Sequence, residues 1–271
     1  MNKYWEKIFS YTFGVTTALF SFLPNTFFSN IYSWTEISKY WCDTINRVIF
    51  LIIVGFFIGL LLLISNHFRK KLTLHGHNYK IIVKYGDIFK QKNCKKVINF
   101  DECYTTEIGN AIHQIKSTSL CGKFLERHNV NISSLLSNNG IKPAKRHSKY
   151  NGKLCYEPGT LLPYNDEFLL MAFAKLNKDG RAVMSREEYL SCLNKLWKEI
   201  NNYYSQTDVA IAVLGSGVTH FKGEELTQQQ LIDIIIYSYK LSTYKIKSPN
   251  TLNIICRKSE DFNLNKVCEN L

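Results

Sequence analysis

A chain of 271 residues has room for one domain of ordinary size and for something beyond it. Its 34 Lys and Arg against 22 Asp and Glu leave a net +12, which suits partners bearing phosphate or anionic headgroups but does not choose among lipid, nucleic acid and nucleotide. The eight cysteines include no C-x-x-C pair, which argues against a zinc site and, in a cytoplasmic domain, predicts free thiols that mostly pack.

The first predicted element is apolar. Residues 8–23 carry no charge, although Ser10, Thr12, Thr16, Thr17 and Ser21 interrupt them. Lys3 and Lys7 precede this stretch as in a secretory signal, but no small-x-small cleavage site follows, so it reads as a first membrane helix. Residues 48–64 then lack every charged, amide and hydroxyl side chain, and at ~1.5 Å per residue they give about 25 Å of helix against a ~30 Å hydrocarbon core. Trp5, Trp34 and Trp41 with Tyr4 and Tyr40 flank the two stretches, where amphipathic rings settle at a bilayer surface. Lys3 and Lys7 before the first, and Arg69, Lys70 and Lys71 after the second, predict a multi-pass protein with both termini cytoplasmic. Gly55 with Gly59, and Ser10, Gly14 and Ala18 at i, i+4, i+8, are small enough for helices to approach closely in lipid.

A juncture over residues 65–78 leads into "YKIIVKYGDIF", where residues 80–85 read as a strand ended by Gly86 and Asp87. Residues 95–100 read as a second strand and 119–128 as a helix, and 128–153 are polar and basic, either a surface excursion or partly disordered. "LCYEPGTLLPY" and "FLLMAFAKL" read as strands. Ser185 with Glu188 forms a capping box before an amphipathic helix that runs to about Tyr204, and Thr227 with Gln230 forms a second. Residues 209–214 are apolar on both faces of a strand, which implies a sheet covered on both sides, and 251–256 close with another strand. Helices alternating with buried strands predict an α/β domain with a mixed, largely parallel sheet.

Two strand ends carry the chemistry. Leu214, Gly215, Ser216, Gly217, Val218 and Thr219 follow a buried strand; glycine lets the backbone approach an anion closely, and successive N–H groups can nest phosphate oxygens. The run matches neither the G-x-x-x-x-G-K-[ST] nor the G-x-G-x-x-G pattern, and a plain tight turn uses the same residues. Asp87, directly after another strand, is a turn residue or an acceptor for an exocyclic amine. Gly180 falls in a segment resembling a calcium loop, but positions one and twelve would be Lys175 and Arg186, so no metal is expected there. His75 and His77 lack a third ligand.

In order and spacing "VKYGDIF", "VINFDECYTT", "GTLLPY" and "AVLGSGVTHF" resemble a macro domain of the divergent bacterial branch fused to two membrane spans, as in the membrane effectors of type II Thoeris anti-phage defence. The resemblance covers residues 79 to about 265, and residues 1–78 in architecture. It implies a macro-like three-layer nucleotide-binding domain over 79–271, preceded over 1–68 by a transmembrane hairpin with spans at about 8–28 and 46–66. It also implies a bacterial inner-membrane sensor that binds an ADP-ribose derivative, histidine-ADP-ribose, made by a partner TIR-domain enzyme. Binding would drive homo-oligomerisation and membrane disruption, an abortive infection, with lipid but no nucleic acid as a partner and with no cofactor. By the resemblance Asp87 and Ile88 face the adenine; Leu214, Gly215, Ser216, Gly217, Val218 and Thr219 wrap the diphosphate. Asp101, Glu102, Thr105, Thr106, Ser119, Leu120 and Gly122 lie near the distal ribose. Hydrolytic macro domains carry an Asn-Ala-Ala-Asn stretch where this chain has Asn99, Phe100, Asp101 and Glu102, so binding without turnover is expected, with no catalytic residue. The alternative is a membrane-tethered ADP-ribosyl hydrolase.

Overall fold

The computed structural model describes residues 3–29, 39–111, 114–217, 219–223 and 225–268, which fall into two compact units, 1–69 and 70–271. In the first unit α1 (Lys3–Phe22) stops two residues before Pro24, whose ring fixes φ and removes a donor, and a short α2 (Asn25–Ser29) follows. Helix α3 (Lys39–His67) starts earlier than the apolar run itself, and within it Trp41–Ser65 is long and apolar enough to cross a bilayer. Gly55 and Gly59 turn toward α1: a Cβ at Gly55 would stand 3.4 Å from Thr12 Cγ2, and one at Gly59 3.9 Å from Ile8 Cδ1. Gly14 meets nothing within 4 Å, so the small residues of α1 are not its packing face. That face is Thr12 and Thr16, both buried, with the Thr16 hydroxyl donating to the Thr12 carbonyl at 2.6 Å. From α3, buried Asn46 donates to the Phe28 carbonyl at 2.9 Å.

In the second unit the strands are β1 (Lys71–Gly76), β2 (Tyr79–Tyr85), β3 (Cys94–Asp101), β4 (Leu161–Tyr164), β5 (Phe168–Leu176), β6 (Ala182–Met184), β7 (Asp208–Ala212), β8 (His220–Phe221) and β9 (Leu252–Cys256). The helices are α4 (Leu120–Leu125), α5 (Ile132–Asn138), α6 (Arg186–Tyr203) and α7 (Gln228–Leu241), with a 3-10 turn at Ile88–Lys90. Strand order is β1-β2-β9-β7-β3-β5-β6-β8, with β4 paired to β5. The central five, β2, β9, β7, β3 and β5, run parallel. β1, β4 and β6 pair antiparallel to their neighbours, so the sheet is mixed and largely parallel, as the patterning predicts.

Three strands lie outside the sequence expectations. The juncture holds β1, which folds back on β2 through His77 and Asn78, with Asn78 at φ 59°. Being half exposed, β1 lacks the apolar run that marks the inner strands. β6 and β8 are too short to show a period. The basic excursion is ordered around α5, N-capped by Asn131.

Two cores face opposite sides of the sheet. Ile81, Val83, Val209, Ile211, Leu252 and Ile254 pack under α6 and α7, where buried Trp197 donates from Nε1 to Ser238 Oγ at 3.0 Å. On the other side Ile98, Phe100, Leu170 and Ala172 pack with Phe124 of α4. Between these, the opposite face of β7 and β9 is floored by Ala210 and Ile255 and covered by Ile88, Phe89 and Leu120. A register shift at Phe100 and Asp101 puts Phe173 and Ala174 of β5 into one core and redirects the end of β3.

Candidate ligand site

Parallel strands deliver their following loops to one edge of the sheet, where free backbone N–H groups collect. After β2, Gly86 donates to the Cys256 carbonyl at 3.1 Å, which ties the loop to the end of β9. Asp87 caps the 3-10 turn, its Oδ1 accepting from the Phe89 amide at 3.0 Å, and its carbonyl accepts from Gln91 Nε2 at 2.8 Å. The carboxylate is exposed whereas Ile88 is buried against Ala210 and Ile255. The Arg127 guanidinium lies 4.5 Å from the centroid of the Phe89 ring.

After β7 the chain bends hard. The Leu214 carbonyl accepts from the hydroxyl of Tyr189 at 2.9 Å, which anchors the bend to α6. Gly215 has φ +85°, and a Cβ there would meet Phe221 Cζ at 2.9 Å. The Ser216 hydroxyl donates to the Val213 carbonyl at 2.8 Å. Gly217 is exposed, with open space where a Cβ would stand, and Thr219 is buried. Val218 lies outside the described residues. Residues 213–219 carry the chain from β7 past β3, β5 and β6 to β8, four strand spacings or about 19 Å.

After β3, Asp101 Oδ1 accepts from the amides of Cys103 at 2.7 Å and Thr105 at 3.2 Å. Burial raises the Asp101 carboxyl above its ordinary range; the Thr105 hydroxyl and the two amides oppose the shift, and Glu102 adds to it. Glu102 is buried and engaged on both oxygens, Oε1 by the Leu176 amide at 3.0 Å and Oε2 by Arg146 Nη1. Thr105 is buried and Thr106 exposed. Ser119 caps α4, its Oγ accepting from the Gly122 amide at 3.0 Å. At Gly122 a Cβ would come 2.2 Å from the Lys116 carbonyl oxygen, so the incoming loop lies directly on the helix start. Leu120 reaches back toward Ile88 and Ala210 across the floor.

The loops that carry Asp87, Gly215 and Asp101 therefore lie along one sheet edge, in an order the sequence does not have. Along the edge come the Asp87 loop after β2, the end of β9, the Gly215 bend after β7 and the Asp101 loop after β3. The strands that carry the Asp87 and Gly215 loops, β2 and β7, are two strand spacings apart, about 10 Å. Sequence reasoning missed the member between them, the turn after β9, where Gln228 Nε2 donates to the Arg257 carbonyl and to Ser259 Oγ, both at 2.9 Å. Among the described residues no three His, Cys, Asp or Glu side chains gather to hold a metal ion. A depression of about 480 Å³ lined by Ser185, Arg186, Glu187, Lys222 and Gly223 lies elsewhere, across β6 and β8.

A family model described as Thoeris protein ThsA, Macro domain, matches residues 81–257, from β2 to just past β9. The Thoeris protein ThsA of Bacillus amyloliquefaciens (strain Y2) is 27% identical over 230 residues, covering 80% of this chain and 76% of that protein. Among solved structures, the Oceanobacillus iheyensis macrodomain with ADP superposes at a TM-score of 0.42 and 9% identity, covering 70% of this chain and 90% of that one. The macrodomain of Thermus aquaticus DarG does so at 0.39 and 11%, covering 65% and 97%.

Proposed function

The chain belongs to the Thoeris ThsA macro-domain family, and on that premise we propose that its second unit is a nucleotide sensor in anti-phage defence whose ligand is an ADP-ribose derivative. The specific ligand we propose is histidine-ADP-ribose, produced by a TIR-domain enzyme of the same system. The observation that carries the reading is the permuted order of loops along the sheet edge. A carboxylate at Asp87, a bend rich in backbone N–H groups at Ser216 and Gly217 and a polar loop at Asp101, Thr105 and Thr106 follow one another. An adenine, a diphosphate and a ribose are joined in the same order. In this reading Asp87 accepts from the exocyclic amine, the bend binds the diphosphate through amides, and the loop after β3 with Ser119 and Gly122 of α4 surrounds the distal ribose. Asp101 Oδ1 and both oxygens of Glu102 already accept hydrogen bonds from the protein, which favours binding without turnover.

In the first unit, α3 supplies a candidate span, and we propose that α1 crosses beside it, leaving both termini in the cytoplasm of a bacterial inner-membrane protein. Ligand binding then favours an assembled form whose clustered helices breach the bilayer, which requires that the assembly bind the ligand more tightly than the monomer does. Calorimetry on the full chain in lipid nanodiscs with ADP-ribose, histidine-ADP-ribose and AMP tests the site. Saturable binding, tightest for histidine-ADP-ribose, is expected. Affinity for none of the three overturns the reading, and release of ADP-ribose from an ADP-ribosylated substrate overturns the absence of turnover.

A further inference from the structure

Two thiols face each other where the basic excursion meets the loop after β3. Cys103 Sγ and Cys155 Sγ are 4.0 Å apart, 52 positions apart in sequence, and both cysteines are free. Their backbones are held together independently of the sulfurs. Tyr156 donates from its amide to the Glu102 carbonyl at 2.8 Å, a backbone bond between the immediate chain neighbours of the two cysteines. A disulfide holds its sulfurs at about 2.05 Å, so the pair closes with a movement of about 2 Å. The segment carrying Cys155 is a strap folded on itself: Ala144 donates to the Cys155 carbonyl at 2.8 Å and Ser148 to the Lys153 carbonyl at 2.8 Å. The Arg146 to Glu102 ion pair adds a second fastening to the same loop.

We propose that Cys103 and Cys155 are an oxidation-sensitive pair whose disulfide locks this strap onto the loop after β3 and thereby alters ligand affinity at the neighbouring site. Cys103 is half-buried and Cys155 fully buried, so the oxidant reaches Cys103 first. With glutathione disulfide as oxidant, the Cys103 thiolate attacks one glutathione sulfur, and the departing glutathione thiolate takes up the proton Cys103 has lost. The Cys155 thiolate then attacks the Cys103 sulfur and expels the second glutathione, which takes the Cys155 proton. Two protein thiols are oxidised to one disulfide, and one glutathione disulfide is reduced to two thiols. Burial first, with Glu102 and Cys103 beside it, pushes the Cys155 thiol up to about 12; burial and Asp101 raise Cys103. The pair therefore closes slowly at neutral pH and faster as pH rises, which keeps it reduced in an unstressed cytoplasm.

The affinity effect rests on the nucleotide reading above, whereas the cross-link does not, and the test separates them. Full-length protein in native membranes is treated with glutathione disulfide at alkaline pH and mapped by mass spectrometry of unreduced peptides. A linked peptide joining Cys103 to Cys155 is expected, reversed by dithiothreitol and absent in Cys155→Ser. A lasting glutathione adduct on Cys103 without closure, or cross-links that join other cysteines instead, overturns the proposal. Histidine-ADP-ribose affinity is expected to change at least about fivefold between the reduced and oxidised protein, and not in Cys155→Ser. A complete cross-link that leaves a measurable affinity unchanged overturns the regulatory half.

Discussion

Gly215 and Gly217 stand two positions apart in one bend and answer to different constraints. At Gly215 the backbone is in the left-handed region and Phe221 occupies the place of a side chain, so Gly215→Ala should cost about 1–3 kcal/mol of stability by chemical denaturation. At Gly217 the space is open, so Gly217→Trp should keep the native melting temperature yet lower nucleotide affinity at least about tenfold, or roughly 1.4 kcal/mol. Unchanged affinity would remove the bend from the site. The sequence shows that a bend is there, but the difference between its glycines depends on Phe221 returning beside it from β8. Glu102 is hidden from sequence in the same way, since its partners Leu176 and Arg146 lie 74 and 44 positions away. Asp101 offers a pH test. Its carboxyl is raised in the folded state above the usual 3.8, so below 3.8 both states are protonated and nothing is lost. As pH rises through the folded-state value, the buried carboxyl resists losing its proton and stability falls. Asp101→Asn keeps an oxygen for the Cys103 and Thr105 amides, so its melting temperature relative to the parent should climb with pH above about 4 and stay level below it. An offset independent of pH would contradict this.

Helix starts are the elements that sequence reads best, because a cap is chemistry within four residues. Both capping boxes close as expected, Ser185 Oγ accepting from Glu188 N at 3.2 Å while Glu188 Oε2 accepts from Ser185 N at 2.8 Å. Ser185→Ala should therefore cost about 1 kcal/mol in urea unfolding. Inner strands were legible from their apolar runs, whereas β1, β6 and β8 owe their existence to neighbours rather than to any pattern of their own. The basic strap is the opposite case, a polar stretch that composition marks as an excursion and that a backbone bond and one buried carboxylate fasten to the loop after β3. Removing the guanidinium leaves Glu102 charged and unpaired, a loss of about 3–5 kcal/mol for a wholly buried pair and less here, because Arg146 is one-third exposed. In Arg146→Met, trypsin should cut after Lys145 and Lys149 markedly faster than in the parent. Equal cleavage rates would mean that the strap is held by other contacts.

The charge of the whole molecule is divided unevenly, about +4 before residue 79 and +8 after it, and the apolar residues of α3 are exposed in its first unit. Gly55 and Gly59 meet α1 of the same chain, so the small-residue pair that sequence alone could assign to contact between molecules is used within one. Gly55→Leu should force Thr12 aside and separate the two helices. Cysteines placed at Ile8 and Gly59 should then cross-link with a short reagent in the parent background and fail to do so beside Gly55→Leu. The strand order has a further consequence during synthesis. β9, the last strand in chain order among the described residues, lies between β2 and β7, so until the ribosome has delivered residues 252–256 the β1 and β2 hairpin has no inner neighbour and the Asp87 loop has no fixed distance to the Gly215 bend. On the nucleotide reading proposed above, a chain that has not yet gained β9 stays deaf to its ligand.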